Sequence, residues 1–247
     1  MKHFFLIIAA CCMAAAAATA SAQSTEREYV IEVGDFVKLE VVDDLNVTYR
    51  CNADSAGLAV FTATPSEANS LMFSNDKSTL KMQVATDYVI MRNAMPHVTV
   101  YSSSIKELEN KADSTLRVEN VTSTEKVKFK LTDNGQVIAT GISAPEVEAK
   151  IFTGKGLISI SGACDKASLK CTGTGMIDAS GLTTNDAKCR VIGTGTIRCH
   201  VVGGSLTTHG SGPGKVYFTG SPSEINSRHL GRLKTIPVTD SNGGGNL

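Results

Sequence analysis

The chain has 247 residues, with 24 Lys and Arg against 24 Asp and Glu, 42% hydrophobic and 5% aromatic residues, and no Trp. Formal neutrality excludes net charge as a source of attraction to nucleic acid or to an anionic membrane surface. The lack of Trp leaves little material for an aromatic sugar-stacking platform, Tyr217 being the one aromatic near an outward repeat position.

Residues 1–22, "MKHFFLIIAACCMAAAAATASA", place Lys2 before an apolar run too short to span a bilayer and end on Ala20-Ser21-Ala22. This is the pattern of a secretory signal peptide cleaved after Ala22. Ile8 to Cys11, "IAAC", offers an alternative in which Cys11 is lipid-anchored, but an Ala run follows it rather than a polar tether. Cleavage removes one lysine and no acid, so 23 bases face 24 acids. No second long apolar stretch follows, and the expected destination is the periplasm, the outer-membrane surface or the exterior. Five cysteines remain, Cys51, Cys164, Cys171, Cys189 and Cys199. The odd number leaves at least one thiol unpaired, and their strand-like apolar settings suggest small buried hydrophobes.

A linker, residues 23–34, leads into period-two alternation. "FVKLEV", "LNVTY", "TLKMQV" and "HVTVYS" read as strands, separated by turn residues at Asp43-Asp44, Asn75-Asp76-Lys77, Met95-Pro96 and Asn134-Gly135. "SEANSLM" after Pro65 carries at most one helical turn. Residues 35–110 repeat weakly and allow either coils or a sandwich-like cap. Residues 239–247, "DSNGGGNL" preceded by Thr239, form a polar tail expected to be disordered.

Residues 111–238 repeat strongly. Gly-x-Gly recurs at Gly154/Gly156, Gly173/Gly175, Gly193/Gly195 and Gly212/Gly214, in steps of 19, 20 and 19 residues. A step of 21 back reaches Asp133/Gly135, and another reaches Ala112/Ser114; a step of 19 forward from Gly212 reaches Gly231, with its partner glycine lost. Four residues after each first position stand Val137, Ile158, Ile177, Ile197 and Val216; two before stand Leu131, Phe152, Cys171, Val191 and Gly210; four before stand Phe129, Lys150, Leu169, Cys189 and Thr208. Stacked apolar columns with turns at fixed phase specify a β-solenoid, in which each coil of 19–21 residues is covered by its neighbours about 4.8 Å above and below. Residues 29–238 have room for about ten such coils.

A phosphate-binding reading of Gly-Thr-Gly requires a helix after the loop, whereas "MIDAS" and "TIRCH" are β-prone or alternating and too short for one. The glycines Gly135, Gly154, Gly156, Gly173, Gly175, Gly193, Gly195, Gly212 and Gly214 are therefore read as corners, where positive φ or close backbone approach is needed.

The stacked "GTG" units and the closing "GSGPGKVYFTGSPSEI", Gly210 to Ile225, resemble the putative auto-transporter adhesin, head GIN domain family of secreted bacterial proteins. The resemblance spans residues 35–238 and implies a single-stranded right-handed parallel β-helix, an all-β fold. It implies an adhesin-like binding role and carries no catalytic residues over. Pro213-Gly214 interrupts the family's Gly-Ser-Gly-Lys, and the last coil, "SRHLGRLKTI", keeps one glycine.

Three residues before each first position stand Lys130, Ile151, Lys170, Arg190, His209 and Arg228. Stacked in register, the five basic members form a ligand-binding column for an anionic partner, an acidic glycan or another cell-surface component, unless neighbouring acids neutralise it or it is a plain solvated face. The acids Glu146, Glu148, Asp165, Asp178 and Asp186 are spread over several phases of the repeat, with no two expected to work as a pair in one column. That argues against paired-carboxylate catalysis of the β-helix polysaccharide lyase type, kept as an alternative with an apolar-ligand or lipid-binding module. No metal or other cofactor site is indicated, because alternation sends Cys199 and His200 to opposite faces.

Overall fold

A computed structural model describes residues 25–85 and 95–238. The expected signal peptide, the first residues of the linker and the expected tail lie outside the described residues. Of the described residues 66% are in strands and 3% in helix, organised as a parallel β-helix of about six turns. Its strands in chain order are β1 (Arg27–Glu32), β2 (Lys38–Val41), β3 (Val47–Cys51), β4 (Leu58–Ala63), helix α1 (Pro65–Ser70), β5 (Leu71–Asp76), β6 (Thr79–Val84), β7 (Val98–Ser102), β8 (Glu107–Asn110), β9 (Thr115–Glu119), β10 (Val127–Leu131), β11 (Gln136–Ile151), β12 (Leu157–Gly173), β13 (Met176–Gly193), β14 (Thr196–Val202), β15 (Ser205–Ser211), β16 (Lys215–Ser221), β17 (Glu224–Leu230) and β18 (Lys234–Pro237).

Each coil contributes to three faces. Face A stacks β2, β8, β10, the C-terminal parts of β11, β12 and β13, then β15 and β17. Face B stacks β3, β9, the N-terminal parts of β11, β12 and β13, then β14, β16 and β18. A shorter face C joins the middle segments around Ile142, Gly162, Leu182 and Val201. The long strands β11 to β13 bend from B through C to A without a loop.

Residues 35–110 combine the two arrangements that the sequence allows. Strands β2 and β3 form a rung beneath β8 and β9, but β6 and β7, later in the chain, lie beneath β2 and β3. Antiparallel β5 then closes β6, and antiparallel β4, backed by β1, closes β7. The turns foreseen in chain order therefore become an out-of-order stack with an antiparallel end, which covers the edges a parallel rod exposes. Helix α1 links the two closures. Its Thr64 N-cap accepts from the Glu67 N–H, while Glu67 Oε2 accepts from the Thr64 N–H at 2.8 Å.

The core is a set of vertical ladders. One runs Leu108, Phe129, Ala149, Leu169, Cys189 and Thr208; another runs Leu116, Val137, Ile158, Ile177, Ile197 and Val216. All these side chains are buried.

Two positions depart from the repeat columns, for one reason. The turn between Ile151 and Leu157 holds one residue more than the corresponding turns of the other coils, such as that between Cys171 and Met176. Ile151, 1% exposed, therefore takes the place in the apolar column expected for Phe152, and Phe152 is pushed outward to 47% exposure. Ala149 likewise takes the core place expected for Lys150, an awkward position for a charge.

At the corners before face B the first glycines adopt positive φ, 85° at Gly154 and 110° at Gly193, and Asp133 takes the same corner with φ 74°. A tighter corner joins B to C. Gly162 has φ 137°, and a Cβ there would lie 2.0 Å from the Ile142 carbonyl oxygen of the coil below. Gly162→Ala is expected to cost at least about 2 kcal/mol in urea unfolding, through backbone strain and this clash. A loss below about 0.5 kcal/mol would show that the coil relaxes around the methyl.

None of the five described cysteines is in a disulfide. Cys171, Cys189 and Cys199 are buried, Cys51 and Cys164 half-buried. Burial pushes the Cys171 thiol up to about 11, and the Cys199 contact at 3.8 Å together with burial holds that of Cys189 well above its usual value. Because the thiolate is the nucleophile, Cys171 and Cys189 are expected to resist iodoacetamide at about pH 8 until the chain is unfolded, and Cys199, buried in the core, is expected to be shielded from the reagent by packing alone. Mass-spectrometric mapping checks this, and modification of the three in the native protein would show that the core opens.

Candidate basic face and its groove

Outward positions of face A alternate with the core ladders, so each outward column is as regular as the core beneath it. The central column runs Glu40, Glu109, Lys130, Lys150, Lys170, Arg190, His209 and Arg228. The interruption expected at Ile151 is absent, because the extra turn residue puts Lys150 between Lys130 and Lys170 and sends Ile151 into the core.

The flanking column divides this stack in two. It runs Lys38, Glu107, Lys128, Glu148, Ser168, Lys188, Thr207 and Asn226. In the lower coils its acids hold the column's cations: Lys130 Nζ is 2.6 Å from Glu107 Oε1, and Lys150 is paired with Glu148. Lys126 adds contacts of 2.6 Å to Glu146 and 3.6 Å to Glu148. Burial pushes the Glu148 carboxyl up, but the ammoniums of Lys150, Lys126 and Lys128 outweigh it and hold the group below the usual carboxylate range.

From Ser168 upward the acids stop. Lys170, Lys188, Arg190, His209 and Arg228 have no acidic partner within ion-pair distance among the described residues. Four of them, Lys188, Arg190, His209 and Arg228, line a groove of about 590 Å³ with Ile192, Gly210, Ser211 and Leu230. Ile192 and Leu230 belong to a third outward column, Thr172, Ile192, Ser211 and Leu230, which supplies an apolar border. Leu230 is 81% exposed.

The sequence columns named Lys170, Arg190, His209 and Arg228 and missed Lys150 and Lys188. Lys150 was hidden by the turn insertion. Lys188, two residues before Arg190 on the same strand, was legible from alternation alone.

The acids correct one expectation. Glu146 and Asp186 do share a column, with Lys166 between them; the extra turn residue in the Glu146 coil had shifted its apparent phase. Glu146 pairs with Lys126, and Asp186 accepts from the Ser205 N–H at 2.9 Å and hydroxyl at 2.8 Å. Each acid is thus engaged in its own contacts, with a cation separating the two. Cys199 is buried while His200 faces outward, its Nδ1 2.8 Å from Thr219 Oγ1. Among the described residues no three His, Cys, Asp or Glu side chains converge to hold a metal. Tyr217 is half-buried on face B beside Arg198, away from the groove.

Solved structures share this fold. A putative adhesin from Bacteroides fragilis NCTC 9343 superposes with a TM-score of 0.72 at 16% identity, over 87% of this chain and 97% of that one. A putative lipid binding protein from Parabacteroides distasonis ATCC 8503 gives 0.67 at 18% identity, over 88% and 98%. A putative adhesin from the same organism gives 0.63 at 17%, over 87% and 98%. No curated protein matches the chain. No helix among the described residues is long and apolar enough to cross a membrane. The family model for "Putative auto-transporter adhesin, head GIN domain" matches residues 35–222, three-quarters of the sequence, with the glycine corners from Gly135 to Gly214 and the basic column up to His209 inside it, and the chain belongs to that family.

Proposed function

We propose that the chain is an exported, non-enzymatic binding protein of a bacterial envelope, holding an acidic glycan or similar anionic surface component across the upper half of face A. The observation that carries this reading is the unneutralised run Lys170, Arg190, His209 and Arg228, flanked by Lys188 and opening into a groove of about 590 Å³. Cations spaced by one rung, about 4.8 Å, on a rigid scaffold lose little freedom on binding a repeating polyanion. In the lower coils Glu107 and Glu148 hold Lys130 and Lys150.

Ile192 and Leu230 at the border of the groove favour a second reading, an anionic amphiphile whose apolar part lies beside the cations. The similar fold described as a putative lipid binding protein points the same way. Glycan-array binding of the mature chain, compared with binding to vesicles containing about 30% anionic lipid, separates the two. Retention on uronate or sulfated glycans with loss in high salt supports the first, and retention on vesicles alone supports the second. Failure to bind either anion removes the groove as a binding site.

A further inference from the structure

We propose that the C-terminal end of the solenoid is a docking surface for a second copy of this chain, joined end to end about a twofold axis through the middle of face A. The inference does not rest on the anion-binding reading.

The two ends of the rod are built differently. Antiparallel strands close the N-terminal end, whereas β17 pairs only with β15, and β18 only with β16, among the described residues. Both leave a free edge of backbone donors and acceptors. Ile225 continues the inward position of Leu206, which is fully buried, and yet Ile225 is 48% exposed. An apolar position built for the core thus stands at an open end.

The shape of that end fits a copy of itself. The chain passes in the order C, A, B, so the last coil covers faces A and B with β17 and β18 and leaves face C one strand short, ending on residues 219–221. A twofold axis through the middle of face A reverses the rod, keeps inward side chains inward and exchanges faces B and C. The second copy's β18 then fills the missing place over the first copy's face C, and the reverse holds. All three seams close at one rung, about 4.8 Å, as antiparallel pairs.

Charge selects a register for the central seam. Pairing β17 with its twofold copy about Asn226 sets Glu224 of each chain opposite Arg228 of the other on the outward side. It sets Ile225 opposite Ser227 on the inward side. Opposite charges across an antiparallel pair stabilise it, and like charges oppose it.

Sedimentation equilibrium of the mature chain, Gln23 to Leu247, tests this. The wild type is expected to be a concentration-dependent dimer. E224R and R228E should each weaken dimerisation about tenfold or more, because each reversal acts twice in the symmetric seam, and the E224R/R228E double variant should restore it. A monomer at all concentrations, a dimer indifferent to either reversal, or a double variant no better than the singles would overturn the proposal. Because Arg228 also lines the groove, anion binding is compared on the wild type and E224R, which keeps every cation of the groove; loss of the dimer in E224R with anion binding retained, or the reverse, separates the two properties.

Discussion

Phe129→Ala is expected to destabilise the chain by about 3–5 kcal/mol, Ile151→Ala by about 2–5, and Phe152→Ala by less than about 0.5. Phe129 is fully buried between Leu108 of the coil below and Ala149 of the coil above, so the ladder pairs a large side chain with a small one. Deleting the ring sets two methyl groups in successive rungs. The void cannot close by sliding one coil toward the next, because hydrogen-bonded rungs hold their spacing near 4.8 Å. It therefore remains a cavity, with the transfer loss and the cavity loss added. Phe152 has the same ring size yet sits in the widened turn, 47% exposed, where truncation removes little packing. Urea unfolding with m-values held fixed checks the three variants. Equal losses at Phe152 and Ile151 would mean that the extra residue lies elsewhere in the coil.

That comparison marks where the sequence could and could not be read. Gly154, Gly173, Gly193 and Gly212 recur at nearly constant steps because each occupies the same positive-φ corner, and a backbone demand of that kind appears directly as residue type. The aliphatic column from Val137 to Val216 is equally legible, since every member packs against the same member of adjacent coils. A single added turn residue, by contrast, leaves both glycines in place and shifts only the strand before them. Counting from the glycines then assigns Phe152 for Ile151, Ile151 for Lys150 and Lys150 for Ala149, three errors with one origin.

The N-terminal stack was illegible for a different reason. Placing β6 beneath β2, out of chain order, depends on pairing partners about 40 residues apart with no glycine period to announce it, Leu39 with Leu80 and Val41 with Met82. Alternation identifies these as strands but gives no rule for which strand lies next to which. The division of the basic column was hidden for a third reason. It depends on Glu107 and Glu148, which stand in the neighbouring outward column and become visible as partners only when registers are known.

The division of the column predicts a sharp positional effect. Changing Lys170, Arg190 and Arg228 together to Ser is expected to weaken binding of an acidic glycan by about 100-fold at low salt, taking about 1 kcal/mol for each exposed cation. The same triple variant should flatten the salt dependence, because the charges that salt screens have been removed. Changing Lys130 and Lys150 together to Ser should weaken binding less than about threefold, since their charges are already held by Glu107 and Glu148 in the unbound protein. Isothermal titration with a uronate oligosaccharide at about 0.05 and 0.2 M salt measures both variants against a neutral glycan of equal length. A response to the lower pair as large as that to the upper three would mean that the ligand pulls the lysines from their carboxylates and uses the whole column. Binding unchanged in the triple variant would place the ligand elsewhere, because no other charged run on face A is left without acidic partners among the described residues.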